Sequence, residues 1–187
     1  MKNNFLESAR KQFEYYRMLG EKALEQVPDD KLNWQCNAES NSITVIIKHL
    51  HGNMLSRFTD FLQTDGEKPW RDRDEEFRES HLTRKELHEL WQAGWDCLFD
   101  AVNGLTEDDL AKTVYIRNMG HTVTEALNRQ LAHYPYHVGQ IVFLSRMIVG
   151  QGWQSLSIPR ESSAAYNAEK FSQPKRNEHF TDEYLKK

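Results

Sequence analysis

The chain has 187 residues, of which 39% are hydrophobic and 28% charged, a composition that predicts one globular domain able to bury its own core. A net charge of -4 leaves no basic footprint for nucleic acid. No apolar run approaches the roughly 20 residues that span a bilayer, and Met1-Lys-Asn-Asn-Phe-Leu-Glu-Ser8 has no apolar stretch of the secretory kind. Cys36 and Cys97 lie far apart, without a CxxC partner, and read as reduced thiols. Together these features predict a cytoplasmic protein with no membrane and no nucleic-acid partner.

Four segments carry a helical period. The first runs from about Asn4 to Val27, with Phe5, Leu6, Ala9, Phe13, Tyr16, Leu19, Ala23 and Leu24 recurring at three- and four-residue steps, and Pro28-Asp-Asp ends it. The second is expected from Ser42 to Thr64, closed by Asp65-Gly66. The third opens on Thr83-Arg-Lys-Glu86, a pattern in which the Thr and Glu side chains satisfy each other's free backbone amides, and runs to Gly104. The fourth opens on the same pattern at Thr122-Val-Thr-Glu125 and reaches Val149, where Gly150 and Gly152 stop it. A short extended piece is expected at Val114-Tyr-Ile116. Four long amphipathic helices in one small domain predict an all-α four-helix bundle. After Gln151 the chain turns polar. Ser155 to Arg160 is expected to be ordered but irregular, Lys175 to Lys187 to be a frayed charged end, and Glu67-Lys-Pro-Trp-Arg-Asp-Arg-Asp-Glu-Glu76 to be a solvated connector in which Trp70 can cover a pocket.

Among eight histidines, His81, His88, His121 and His179 sit at helix starts, on a charged face or in the tail, and read as solvated. His133 and His137 are different. Four residues apart, they share one side of the fourth helix, the spacing with which one helix offers two imidazoles to one metal ion. Gln130 and Gln140 flank them. Pro135, between them, deletes a backbone hydrogen bond and frees the Leu131 carbonyl, at a cost of roughly 3 kcal/mol.

A third ligand must come from elsewhere, and the second helix offers His49 and His51. They point about 160° apart around the helix axis. His51 lies nearer the apolar stripe of Ile43, Ile47, Leu50, Met54, Phe58 and Phe61. His49 lies on a strip of short side chains with Ser42, Ile46, Asn53, Ser56 and Asp60, which has the character of a cavity wall. Periodicity leaves both choices open. Arg57, one turn beyond Asn53, and Arg160 in the tail have the geometry to clamp a carboxylate or phosphate.

Ser42-Ile-Thr-Val-Ile-Ile-Lys-His49-Leu, followed some eighty residues later by His133-x-x-x-His137-x-Gly139-Gln140-Ile141, resembles the DinB-like superfamily of metal-binding four-helix bundles. The segments Gly52 to Arg71 and Trp153 to Arg160 are similar to one bacterial subfamily of unknown function, and the likeness extends to about Asn167. It implies an up-down-down-up bundle over residues 1–167, with an irregular C-terminal extension and a polar tail over 168–187. It also implies the metal ligands His49, His133 and His137, a divalent ion such as nickel, zinc or iron, and a homodimer. Superfamily members include transferases that use low-molecular-weight thiols. The resemblance therefore implies a metal-dependent enzyme acting on a small molecule, with Asn53, Arg57, Gln130, Gln140 and Arg160 around the metal or substrate. A metal-dependent hydrolase and a non-catalytic metal-binding stress protein are the alternatives.

Overall fold

The computed structural model describes residues 5–185, and the chain is mostly helical. Four long helices carry the architecture: α1 (Phe5–Leu24), α2 (Ile43–Phe58), α4 (Arg84–Asn103) and α5 (Val123–Val149). Between α2 and α4 lies a one-turn helix, α3 (Arg73–Glu76). A two-stranded antiparallel hairpin, β1 (Thr113–Ile116) and β2 (Met119–Thr122), joins α4 to α5, and α6 (Ser163–Phe171) and α7 (Asp182–Leu185) complete the chain.

The long helices start where capping side chains are available. Ser42 Oγ accepts the Val45 amide at α2, and Thr83 with Glu86 and Thr122 with Glu125 form reciprocal pairs at α4 and α5. Each apolar stripe then faces a shared core. α2 lies along α4 and α1 along α5, while α2 also meets α5 and α1 meets α4. Phe13, Ile47, Leu50, Trp95, Leu98, Leu127, Tyr134 and Ile141 are fully buried at the centre. Burial of each contributes roughly 1.5–3 kcal/mol relative to exposure.

Several expectations are corrected. α2 ends at Phe58, six residues before Thr64, because Thr59 is extended and Asp60 takes a positive φ of 49°. The chain then doubles back. Ser56 Oγ and the Arg57 guanidinium both donate to the Gly66 carbonyl, fixing the return. Asp60 is therefore off the helical strip. The Glu67–Glu76 run is solvated only in part: Pro69, Trp70 and Asp72 to Glu75 are exposed, but the Arg71 side chain is 2% exposed, and Lys68 and Glu76, the latter on α3, are buried. α1 ends at Leu24 rather than Val27, and Asn4 lies outside the described residues.

The C-terminal end is exposed and irregular from Lys175 to Glu178, as expected, but docked beyond that over its described part. Thr181 is fully buried, α7 packs on α1, Lys11 pairs with Asp182 at 3.0 Å, and Tyr184 meets Tyr15 at a ring separation of 5.1 Å. His179, expected in solvent, hydrogen-bonds Ser8 at 3.0 Å and Thr181 at 2.7 Å. Lys186 and Lys187 lie outside the described residues. Pro135 neither ends nor splits α5, which runs through it for 27 residues.

The hairpin turn takes φ of 55° at Arg117 and 60° at Asn118, the geometry of a two-residue primed turn, for which Asn is well suited. Asp65 accepts the amides of both residues at 2.8 Å and that of Glu67 at 2.7 Å. Three amide donors outweigh the burial of Asp65 and hold its carboxyl below the ordinary range. The hairpin tip is thereby tied to the loop after α2, and Arg117 is carried to the site described next.

Candidate metal centre

α2 and α5 bring His49, His133 and His137 together, with one ligating atom from each lying within 4.8 Å of the others. His133 Nε2 sits 3.3 Å from His49 Nε2 and 3.1 Å from His137 Nε2. His51 is on the other side of α2, lining a separate cavity with Trp70, Leu82 and Leu90. Of the strip of short side chains on α2, Asn53 lines the histidine cavity beside His49, and both are buried; Ser42, Ile46 and Ser56 are not in its lining.

Hydrogen bonds on the far side of two rings fix what they present. Glu76 is acceptor-only when ionised, so His49 Nδ1–H donates to its Oε2 at 2.9 Å. His137 Nδ1–H donates to Gln140 Oε1 at 2.8 Å. Both tautomers leave a bare lone pair on Nε2, aimed at His133 Nε2. That nitrogen carries at most one hydrogen, so it can satisfy at most one of the two. A cation placed among them can accept all three lone pairs. Burial lowers the His133 pKa to about 3, with further depression from His137, His49, Arg57 and Arg129. Burial also lowers that of His137, against the hydrogen bond to Gln140. Both are neutral at pH 7, the ligating form. The set is one metal ions accept: three imidazoles with no thiolate, and no fourth His, Cys, Asp or Glu in the group among the described residues.

Glu76 escapes a reading of the sequence. Burial alone would raise its pKa, but hydrogen bonds from His49 and Arg71 prevail and hold it ionised. Arg71 grips both carboxylate oxygens, Nε to Oε1 at 2.7 Å and Nη2 to Oε2 at 2.9 Å. Room for the carboxylate comes from Gly52, where an added Cβ would stand 2.2 Å from Glu76 Oε1. The signal was present in Asp72-Arg-Asp-Glu75, an N-cap followed by acidic residues: Asp72 caps α3 by accepting the Glu75 amide at 3.1 Å. Phe77, which follows α3, packs against the His49 ring at a centroid separation of 4.8 Å and a tilt of 36°.

The histidines open on a cavity of about 490 Å³. Asn53, Arg57 and Gln130 line it, and Gln140 reaches the site through His137. Asn53 Oδ1 accepts the Tyr134 hydroxyl at 3.1 Å. Arg160 is not brought there, being exposed in the irregular stretch after α5.

No curated protein and no solved structure matches the chain. A family described as a protein of unknown function, DUF1572, matches residues 1–162, from before α1 through the irregular stretch after α5. That span holds every residue of the histidine cluster and its supports, and the chain belongs to this DUF1572 family.

Proposed function

We propose that His49, His133 and His137 hold a divalent metal ion and that the protein is a metal-dependent enzyme, a transferase that activates a low-molecular-weight thiol. The observation that carries this reading is the convergence of Nε2 atoms, two with tautomers fixed from behind, at the floor of an open cavity. A bound divalent ion supplies Lewis acidity, which holds a thiol as thiolate at neutral pH. The chain's own residues prepare the place. Glu76 and Gln140 orient the imidazoles, Phe77 covers one ring face, and Asn53 and Gln130 offer hydrogen bonds beside the open side. Neutral nitrogen ligands suit nickel, zinc and iron alike.

Two observations favour this over the alternatives. A filled coordination sphere, as a storage or sensing protein would have, needs a fourth protein ligand, and the group has three members among the described residues. A hydrolase needs a general base facing the ion, whereas Glu76 faces away, committed to His49 and Arg71.

The helical packing supports an up-down-down-up bundle of the DinB-like kind, with α1 and α2 at opposite corners and α4 and α5 between them. Tyr136, Phe143 and Met147 are 62%, 64% and 45% exposed, forming a stripe on α5 with Gly139 among them. At Gly139 an added Cβ would meet nothing within the chain, which leaves a flat face open to a second copy. This supports a homodimer, for which sedimentation equilibrium should return twice the chain mass, and Phe143→Lys the chain mass alone. The expected setting is cytoplasmic; no described helix is long and apolar enough to cross a membrane.

Metal analysis of purified protein, alongside the His49→Ala, His51→Ala and His133→Ala variants, tests the site. Stoichiometric ion is expected in wild type and His51→Ala, with loss in the other two. Full metal content in His49→Ala would overturn the ligand set. For the thiol, the cobalt-loaded protein should gain a sulfur-to-cobalt absorption band on thiol addition. No band with any of several small thiols would remove the transferase reading.

A further inference from the structure

We propose that the cavity above the three histidines is a binding site for a small oxyanion, a carboxylate or phosphate group carried by the substrate, with Arg73 and Arg129 as its principal contacts. Five arginines, Arg57, Arg71, Arg73, Arg117 and Arg129, line this one cavity, and no aspartate or glutamate does. In a chain of net charge -4 that is a local reversal of sign. Like charges gathered in one concavity repel each other, and the field they focus attracts an anion.

Three of the five are already engaged. Arg71 holds Glu76 and lies 3.4 Å from Glu67 Oε2, Arg57 donates to the Gly66 carbonyl and to Glu67 at 3.3 Å, and Arg117 reaches Glu67 at 3.1 Å. Two carboxylates thus answer three guanidinium groups. Arg73 and Arg129 pair with no carboxylate among the described residues. The Arg73 guanidinium lies over the Phe77 ring at 4.8 Å, and Arg129 Nη1 stands 3.5 Å from His121 Nε2. They come from α3 and α5, the two elements that carry Glu76 and the His133/His137 pair, so the free charges flank the histidines from both sides.

An exposed arginine without a partner is ordinary by itself. A second, independent observation comes from Gln130, which is 3% exposed, lines the same cavity and has a buried Oε1 with no hydrogen-bond partner. A buried carboxamide oxygen left unpaired costs about 1–3 kcal/mol when nothing meets it. Gln130 lines a second, smaller cavity under the hairpin as well, so it places an unsatisfied polar side chain at the wall of the arginine cavity without adding a fixed contact to the ligand. The ligand class is therefore a small molecule bearing an oxyanion. This rests on the metal-site reading only for the group at the cavity floor; the arginines and Gln130 stand without it.

Isothermal titration calorimetry at constant ionic strength, with inorganic phosphate and with succinate, on metal-free and zinc-loaded protein, tests the proposal. At least one of the two probes is expected to bind both forms, and the tighter one identifies the oxyanion. Arg73→Gln/Arg129→Gln is expected to weaken binding by about tenfold or more, while the control Lys22→Gln/Lys85→Gln, with the same change in net charge, leaves it unchanged. Zinc content of the arginine variant should match wild type, which separates loss of the anion site from loss of the metal. Binding of neither probe at millimolar concentration would overturn the proposal. So would equal affinity in the arginine variant, or equal weakening in the lysine control. Anion binding that responds to the arginines in protein that takes up no zinc would leave this site standing and remove the metal reading.

Discussion

Glu76 and Gly52 show how much of this centre rests on residues that touch no ligand. Glu76 fixes the tautomer and angle of His49, and Gly52 leaves the space its carboxylate occupies. Replacing such a supporting group commonly weakens metal binding by about 10–100-fold. Glu76→Gln is therefore expected to raise the zinc Kd by that order, as measured by competition with a chromogenic chelator, with the helical circular dichroism unchanged. Gly52→Ala should do the same, because its Cβ would stand 2.2 Å from Glu76 Oε1 and 2.7 Å from Cδ. Gly139→Ala is the control: an added Cβ there meets nothing within 4 Å. Wild-type zinc affinity in both Glu76→Gln and Gly52→Ala would show that His49 needs no orienting partner. His49 itself was legible in part, since the short side chains around it marked a cavity wall. Periodicity did not separate it from His51; the family resemblance did, and the approach of α2 to α5 gives the physical reason.

The long helices begin where the sequence signals they should, and α4 and α5 also end at their glycines, whereas tertiary contacts decide the end of α2. Thr122 and Glu125 cap α5 from local chemistry alone, with Thr122 Oγ1 accepting the Glu125 amide at 3.1 Å. Thr122→Ala should cost about 1 kcal/mol, seen as a fall of about 2–4 °C in Tm. A fall below half a degree would mean that packing alone holds the α5 start. The turn at Glu107–Asp109 uses the same device, and here pH is the probe. A hydrogen bond from Lys112, followed by those from Thr106, lowers the Asp109 pKa to about 2 from 3.8. A carboxylate depressed in the folded state binds fewer protons there than in the unfolded chain. Its stabilising effect is thus complete above the unfolded value and fades as pH falls from about 4 toward 2. Asp109→Asn should lower Tm at pH 7, with the gap to wild type closing over that interval. A gap independent of pH would assign the effect to packing. By contrast the end of α2 was not legible, because it is set by Ser56 and Arg57 reaching Gly66, a contact made only once the loop has returned.

At the scale of the whole molecule, a charge distribution hidden in the average and a docked tail distinguish this chain. The polar composition after Ser172 hides a specific contact. Phe180 and Tyr184 both meet Tyr15, and Tyr166 and Lys170 reach back to Glu183. Truncation after Ser172 removes α7 and uncovers that part of α1, and should lower Tm by about 3 °C while leaving zinc affinity as in the full chain. Unchanged Tm would show that the tail adds no stability; lost zinc affinity would tie the tail to the site. Neither the five arginines nor the two carboxylates between them stand out in a net charge of -4, because they come from α2, the loop after it, α3, the hairpin and α5.

The sequence by itself determined the helical class, the starts of the long helices, the HxxxH pair and the cavity-wall character of the strip around His49. These follow from local rules, the 3.6-residue period and side-chain capping, which act over a few residues. Periodicity left His49 and His51 open, and the family resemblance chose His49; only tertiary structure brought it to the pair, made a connector supply Glu76 and Arg71 to the site, and converged five arginines on one cavity. Those facts depend on how α2, α3, the hairpin and α5 approach one another. Such approaches join residues far apart in the chain, His49 to His133 across 84 positions and to His137 farther still, with ring centroids 4.8 Å apart, and no local pattern encodes them.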